Sequence, residues 1–340
     1  LLGAALCVRT VGYGPLLVAA LALLAGAIGR GRGDGSAEHL AGAAEHPVGS
    51  AEHLAGAWRW RGAALLPLVA FGLAAAVPIG AYAGWSAAEG RGFTVSAHSG
   101  FFLYGRVAPF ADCATITRAD LRTLCDPRPV GERGAPVRYL WPADSPLRQG
   151  NRRIPPGRED LAATFAHEVV RDQPWMLVTS SLRYLAGYLD PAPYETARTS
   201  RADTWEFPTE RTNVLAPDDP HADDGYFVAT DVRGPSGLLA AWSTVSYPLM
   251  PLVGLGLLAG AAAALATVRR VPRPVPGDGS HGWRRLFWLA GGSGVSTLVL
   301  SAVTSGFDYR YLGAVIGLMG LAAVVGVAGF VGEIRRRRPG

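Results

Sequence analysis

Charged residues along this chain are separated by unusually long apolar intervals. Uncharged stretches cover 10–29, 62–88, 234–268, 286–307 and 311–332, each at least 20 residues long. About 20 apolar residues in a helix cross the hydrocarbon core of a bilayer, where every backbone polar group must be satisfied within the segment. The pattern therefore predicts an all-α polytopic membrane protein with about five transmembrane helices. Residues 1–8 are apolar but too few to span. Gly12, Gly14 and Pro15 follow Arg9 and break or loosen a helix there. The expectation is the end of one helix, then a first span from about Tyr13 to Ile28.

Charge sets the expected threading. Short loops rich in basic residues stay cytoplasmic. Arg30, Arg32, Arg59 and Arg61 border the loop 30–61; Arg269, Arg270, Arg273, Arg284 and Arg285 fill 269–285; Arg335, Arg336, Arg337 and Arg338 close the chain. These clusters lie on alternate connections, so all three can be cytoplasmic. The segment 89–233 and the turn between the spans of 286–334 then face outward. The chain is expected in the cell membrane with its large loop extracytoplasmic and its tail, 335–340, cytoplasmic. Segment 89–233 holds 20 acids and 17 arginines, net −3; the remainder holds 15 arginines and 7 acids, net +8, and together they make the overall +5. The basic balance is thus a topological signal, and a nucleic-acid partner, which would want a basic face on a soluble domain, is not expected. All 32 basic residues are Arg. The chain opens at Leu1 with no basic region or cleavage site of a signal peptide, and it is expected to be a fragment.

The segment 89–233 is too long for an idle loop. Residues 92–109 mix β-formers with aromatics and suggest a short strand or hairpin, so the expected extracytoplasmic domain is α-rich with minor β. Residues 159–171 and 173–189 read as helices through Leu161, Phe165 and Val169 and through Trp175, Leu182, Leu185 and Tyr188. The second suits either a helix at the membrane surface or a core helix of the domain. Cys113 and Cys125 lie twelve positions apart in a compartment expected to be oxidising, which favours a bridge between them over two free thiols.

Two low-complexity features carry little chemistry. Residues 35–42 recur unchanged as 49–56, and His39, His46 and His53 repeat every seven residues. Two helical turns put neighbouring imidazoles about 10 Å apart, too far to share one ion, so a mobile cytoplasmic insertion is expected and not a metal site. Asp218, Asp219, Asp223 and Asp224 surround His221 and could hold a divalent cation, but without the spacing of a known calcium loop a solvated acidic loop is expected. The absence of Lys removes any phosphate loop, and there is no Gly-x-Ser-x-Gly elbow.

The candidate chemistry lies at span ends. Asp308, Tyr309, Arg310 and Tyr311 sit in the short connection between two spans, where ionisable groups are costly and often mark a ligand path; a turn with an Arg–Asp pair and interfacial tyrosines is the plainer reading. Arg9 falls on the same expected side. Two guanidiniums there could clamp a lipid phosphate or pyrophosphate, with Arg106 as a third donor, while simple snorkelling of Arg9 to head groups stays open.

Residues 8–12 (Val-Arg-Thr-Val-Gly), 101–113 (Phe-Phe-Leu-Tyr-Gly-Arg-Val-Ala-Pro-Phe-Ala-Asp-Cys) and 308–312 (Asp-Tyr-Arg-Tyr-Leu) together resemble motifs of bacterial integral-membrane glycosyltransferases of the C superfamily, relatives of the dolichyl-phosphate-mannose and aminoarabinose transferases. The resemblance implies a polyprenyl-phosphate-linked sugar as donor, an acceptor it does not name, transfer on the outer side of the membrane, and phosphate recognition by Arg9 and Arg310. In that family the catalytic carboxylate usually lies on the first external loop, which this sequence lacks. Thr10 and Gly313 stand where the family often has Pro. The chain accordingly resembles a carboxy-terminal portion. The alternative from another class is a non-enzymatic envelope protein whose external domain binds a partner. A transporter is disfavoured because ionisable residues are nearly absent within the spans.

Overall fold

The computed structural model describes residues 13–25, 50–90, 92–96, 99–151, 153–199, 209–210, 232, 234–268 and 282–337. The described residues contain helices and turns and no strand. The helices are α1 (Tyr13–Ala25), α2 (Ser50–Ala88), α3 (Ser99–Val107), α4 (Ala119–Arg122), α5 (Val137–Leu140), α6 (Arg158–Asp172), α7 (Pro174–Gly187), α8 (Ser236–Ser246), α9 (Met250–Val268), α10 (Gly282–Thr304) and α11 (Tyr309–Arg337). Among the described residues, four stretches are long and apolar enough to cross a membrane: Leu66–Ala88, Ser236–Ala266, Gly282–Thr304 and Tyr309–Arg336. The protein is an all-α, multi-spanning membrane protein. Of the first expected span only α1 falls among the described residues, too short by itself to be counted with the four.

Two compact units divide the chain. The first comprises residues 1–99, 256–301 and 315–340, the second 100–255 and 302–314. In the first unit, α9 and α11 meet through small residues. A Cβ built on Gly260 would lie 2.6 Å from the Gly326 Cα and 2.4 Å from the Phe287 ring; one on Gly326 would lie 2.7 Å from the Gly256 carbonyl oxygen. Lipid supplies no hydrophobic drive for helices to associate, so such close backbone approach, with its dispersion contacts, is what holds spans together. Arg284 and Glu333 pair across α10 and α11 at 3.7 Å. The helix α2 begins twelve residues before the uncharged stretch at 62. The second copy of the repeat is therefore helical from Ser50 onward; residues 26–49, with the first copy and His39 and His46, lie outside the described residues.

The second unit is built around α3 and α6. The strand or hairpin expected at 92–109 is instead the helix α3. Its apolar residues follow a three-to-four spacing and not alternation: Phe101, Tyr104 and Val107 are buried, while Phe102 is exposed. The Tyr104 hydroxyl donates to the Leu124 carbonyl at 2.8 Å, which lets a phenol enter a core that also holds Leu121, Tyr139 and Phe165. Each such fully buried side chain contributes about 2 kcal/mol. The helix α6 buries Phe165, Ala166 and Val169, with Glu159 and Asp160 in its first turn and Arg171 in its last, the arrangement its dipole favours. Pro174 opens α7, where a missing N–H costs nothing.

Candidate functional site

The turn joining α10 to α11 covers residues 305–308, and three of them have separate tasks. Gly306 takes φ +107, in the region L side chains avoid, and a Cβ built on it would lie 3.1 Å from the Pro136 Cγ. Phe307 is buried and stacks on Tyr188 at 4.4 Å between ring centroids, with Tyr194 and Tyr309 meeting it edge-on at 5.1 and 5.0 Å. Asp308 caps α11: its Oδ1 accepts the Arg310 N–H at 3.0 Å, and its Oδ2 lies 3.0 Å from the Arg310 Nε. A cation in a helix's first turn opposes the dipole, and the capping carboxylate offsets this. The Tyr188 hydroxyl donates to the Asp308 carbonyl at 3.1 Å, and the Tyr309 hydroxyl accepts the Tyr194 N–H.

Arg310 remains partly open, its side chain 36% exposed, with its guanidinium over the Tyr311 ring at 5.0 Å and Nη2 donating to the Tyr311 hydroxyl at 3.3 Å. Asp308 and Tyr311 thus contact it, whereas the Tyr309 ring packs against Phe307, Tyr188 and Tyr247.

Arg106 is placed quite differently. It is 1% exposed. Its Nε donates to the Ala302 carbonyl at 2.6 Å and its Nη2 to the Ser180 and Ser181 hydroxyls at 2.7 and 3.0 Å, with the plane lying over Phe110 and Tyr184. Among the described residues no carboxylate lies within ion-pair distance of it. The Ala302 carbonyl belongs to the last turn of α10, which has no intrahelical partners to offer and carries the negative end of the dipole, and this takes the place of a counter-ion. Burial pushes the guanidinium down to about 10, so it stays charged at neutral pH. Arg106 fastens α3 and α7 to the end of α10. Its described donors point into protein, not toward an open surface. Arg9 lies outside the described residues. Ser180, Ser181, Tyr184, Tyr188 and Tyr194 were not singled out from sequence; the paired serines within an apolar helix face were the available signal.

The expected Cys113–Cys125 disulfide is absent: both thiols are free. The Cys113 thiol points at the Ala111 and Asp126 carbonyls at 3.9 and 3.8 Å. Burial and a hydrogen bond with Cys113 push the Cys125 thiol up to about 12, which makes it a poor nucleophile. Arg133 does the bracing that a disulfide was expected to do. Its guanidinium donates to the carbonyls of Ala111, Arg128 and Asp126 at 2.6, 2.8 and 2.9 Å. Beside it, the Asp126 carboxylate accepts from Arg128 and from the Tyr139 hydroxyl, both at 2.7 Å.

Burial alone would raise the Asp126 carboxyl, but the hydrogen bonds from Arg128 and Tyr139 prevail and hold it well below the usual carboxylate range. A depressed folded-state value means that the group's stabilisation is fully present above the unfolded value, about 3.9, and is lost as pH falls toward the folded one. Resistance of segment 99–199 to limited proteolysis should therefore hold from neutrality to about pH 5 and decline below about pH 4. Asp126→Asn should be weaker at neutral pH and should lose this contribution to the decline; an equal decline in the variant would remove Asp126 as its cause.

No group of three or more His, Cys, Asp or Glu among the described residues is arranged to hold a metal ion, and the acidic cluster around His221 lies outside them. No family model, curated protein or solved structure matches this chain.

Proposed function

We propose that this chain is a membrane glycosyltransferase, or its carboxy-terminal part, that takes a sugar from a polyprenyl-phosphate donor on the extracytoplasmic side, with Arg310 meeting the lipid phosphate. The observation that supports this reading is the state of Arg310: a partly exposed guanidinium in the turn between two spans, tethered by Asp308 and oriented by Tyr311. The Arg310 side chain is 36% exposed against 11% for Asp308, so the guanidinium presents an accessible edge to a phosphate that offers bidentate acceptors. The side chain is then poised without being locked. Arg106, whose bonds run to Ala302, Ser180 and Ser181, serves in this reading as a positioning residue that holds the wall behind the turn. Arg9 would supply the second guanidinium. The reading assigns no catalytic carboxylate.

The test is release of free polyprenyl phosphate from a radiolabelled polyprenyl-phosphate sugar by the full-length protein in liposomes. Arg310→Ala is expected to reduce turnover roughly 10- to 100-fold, the loss of one charge-assisted contact, at unchanged expression. Arg310→Lys should recover only part, because an ammonium cannot make the forked contact. Turnover by Arg310→Ala equal to that of the parent would defeat the assignment and leave the partner-binding envelope protein as the better reading.

A further inference from the structure

The helix α7 has two faces of different character. Ser181, Tyr184 and Tyr188 are buried on one side. The other exposes Trp175 (70%), Val178 and Leu182 (58%), spaced three and four apart along one stripe. Arg183 stands exposed at its flank, and the fourteen residues of the helix include no acid. The helix α6 immediately before it shows the opposite: Asp160, Thr164, His167 and Arg171 form its exposed stripe. One helix is made for water; the other is not.

Where α7 is held decides what covers it. Ser181 donates to the carbonyl of Ala302 in the last turn of α10 at 3.2 Å, and Tyr188, just past its end, donates to the carbonyl of Asp308, which caps α11. These anchors are seven residues apart, about 10 Å of helix. Leu189 lies against Gly254 in the second turn of α9. These anchors all lie within the second unit, on the residues where the long apolar stretches of α10 and α11 end and that of α9 begins, and the end of such a stretch is where hydrocarbon is expected to give way to head groups. The helix α8, directly before α9, exposes Leu238, Trp242 and Val245 in the same spacing, although α9 with 19 residues is already long enough, about 28 Å, to cross the core.

From this we infer that α7 is an interfacial helix: its Trp175–Val178–Leu182 stripe lies in the leaflet at the Asp308 turn, and Arg183 reaches the lipid phosphates. Tryptophan favours that boundary, arginine can bury its stem there while its charge stays wet, and an apolar helix face gains there what it cannot gain in water. Tyr184 in α7 and Tyr188 just beyond it, by contrast, are buried in the protein. The inference concerns membrane docking and does not rest on a transferase activity.

A photoreactive benzophenone amino acid placed at position 182 of the full chain, reconstituted in vesicles of phosphatidylethanolamine and phosphatidylglycerol, tests it by mass spectrometry. The expected result is a phospholipid adduct at 182, and likewise at 178, several-fold more abundant than at position 164 on α6. Equal and low lipid labelling at 182 and 164 would overturn the inference. So would an adduct at 182 to a second copy of the chain in place of lipid.

Discussion

Arg106→Ala is expected to destabilise the second compact unit by about 3–4 kcal/mol, the combined loss of a large buried side chain and its hydrogen bonds. In reconstituted protein this should appear as a fall in apparent melting temperature of several degrees and as earlier proteolysis within 99–199. The expectation follows from what Arg106 touches. Its Nε and Nη2 bind one carbonyl and two hydroxyls, and its plane fills the space between Phe110 and Tyr184. Truncation removes three hydrogen bonds to a charged donor and leaves a void where a long side chain packed. Arg106→Met separates the two contributions: it keeps much of the volume and removes the desolvation cost of a buried charge, so its effect should be clearly smaller. A melting temperature for Arg106→Ala equal to the parent's would show that the unit is not held through this residue.

Gly260→Val should disrupt the first compact unit. Its new Cβ would meet the Phe287 ring at 2.4 Å and the Gly326 backbone at 2.6 Å, and a backbone atom cannot step aside as a flexible side chain can. Overpacking of this kind costs about 1–3 kcal/mol when the neighbours yield and more when they cannot, and here α9 and α11 would have to separate. The expected outcome is loss of heat-stable folded protein after detergent extraction. Gly320→Val, on the same helix as Gly326 but with nothing within 4 Å of its Cβ position, is the control and should extract like the parent. Similar losses in both variants would point to a general effect of Val for Gly and remove the close crossing as the cause.

The two variants sit at places of very different legibility. The four long apolar helices follow from the spacing of charges alone, because the cost of a charge in hydrocarbon is a local property of each segment. The helices at 158–172 and 174–187 were equally readable, since their apolar residues recur at helical spacing and Pro174 marks the boundary. The helix α3 departs from the expected strand because Phe101, Phe102 and Tyr104 are β-formers by composition, while packing follows the spacing of the buried residues. At the candidate site, the contacts of Arg310 with Asp308 and Tyr311 were legible because the three are neighbours in the chain and the ion pair of Asp308 with Arg310 is local.

What lay beyond the sequence were the partners that the chain brings from far away. Arg106 and Ala302 are 196 positions apart, and nothing near either one announces the other. Cys113 and Cys125 suggested a bond by type and compartment, but whether two thiols join depends on where their sulfurs point, and here Arg133 holds the loop in their place. Sequence by itself determined which segments enter the membrane and which helices are amphipathic, because these are one-dimensional properties of hydrophobicity and period. Tertiary structure alone decided which arginine is buried and which stays open, since desolvation and hydrogen bonding are settled by all the groups that surround a side chain.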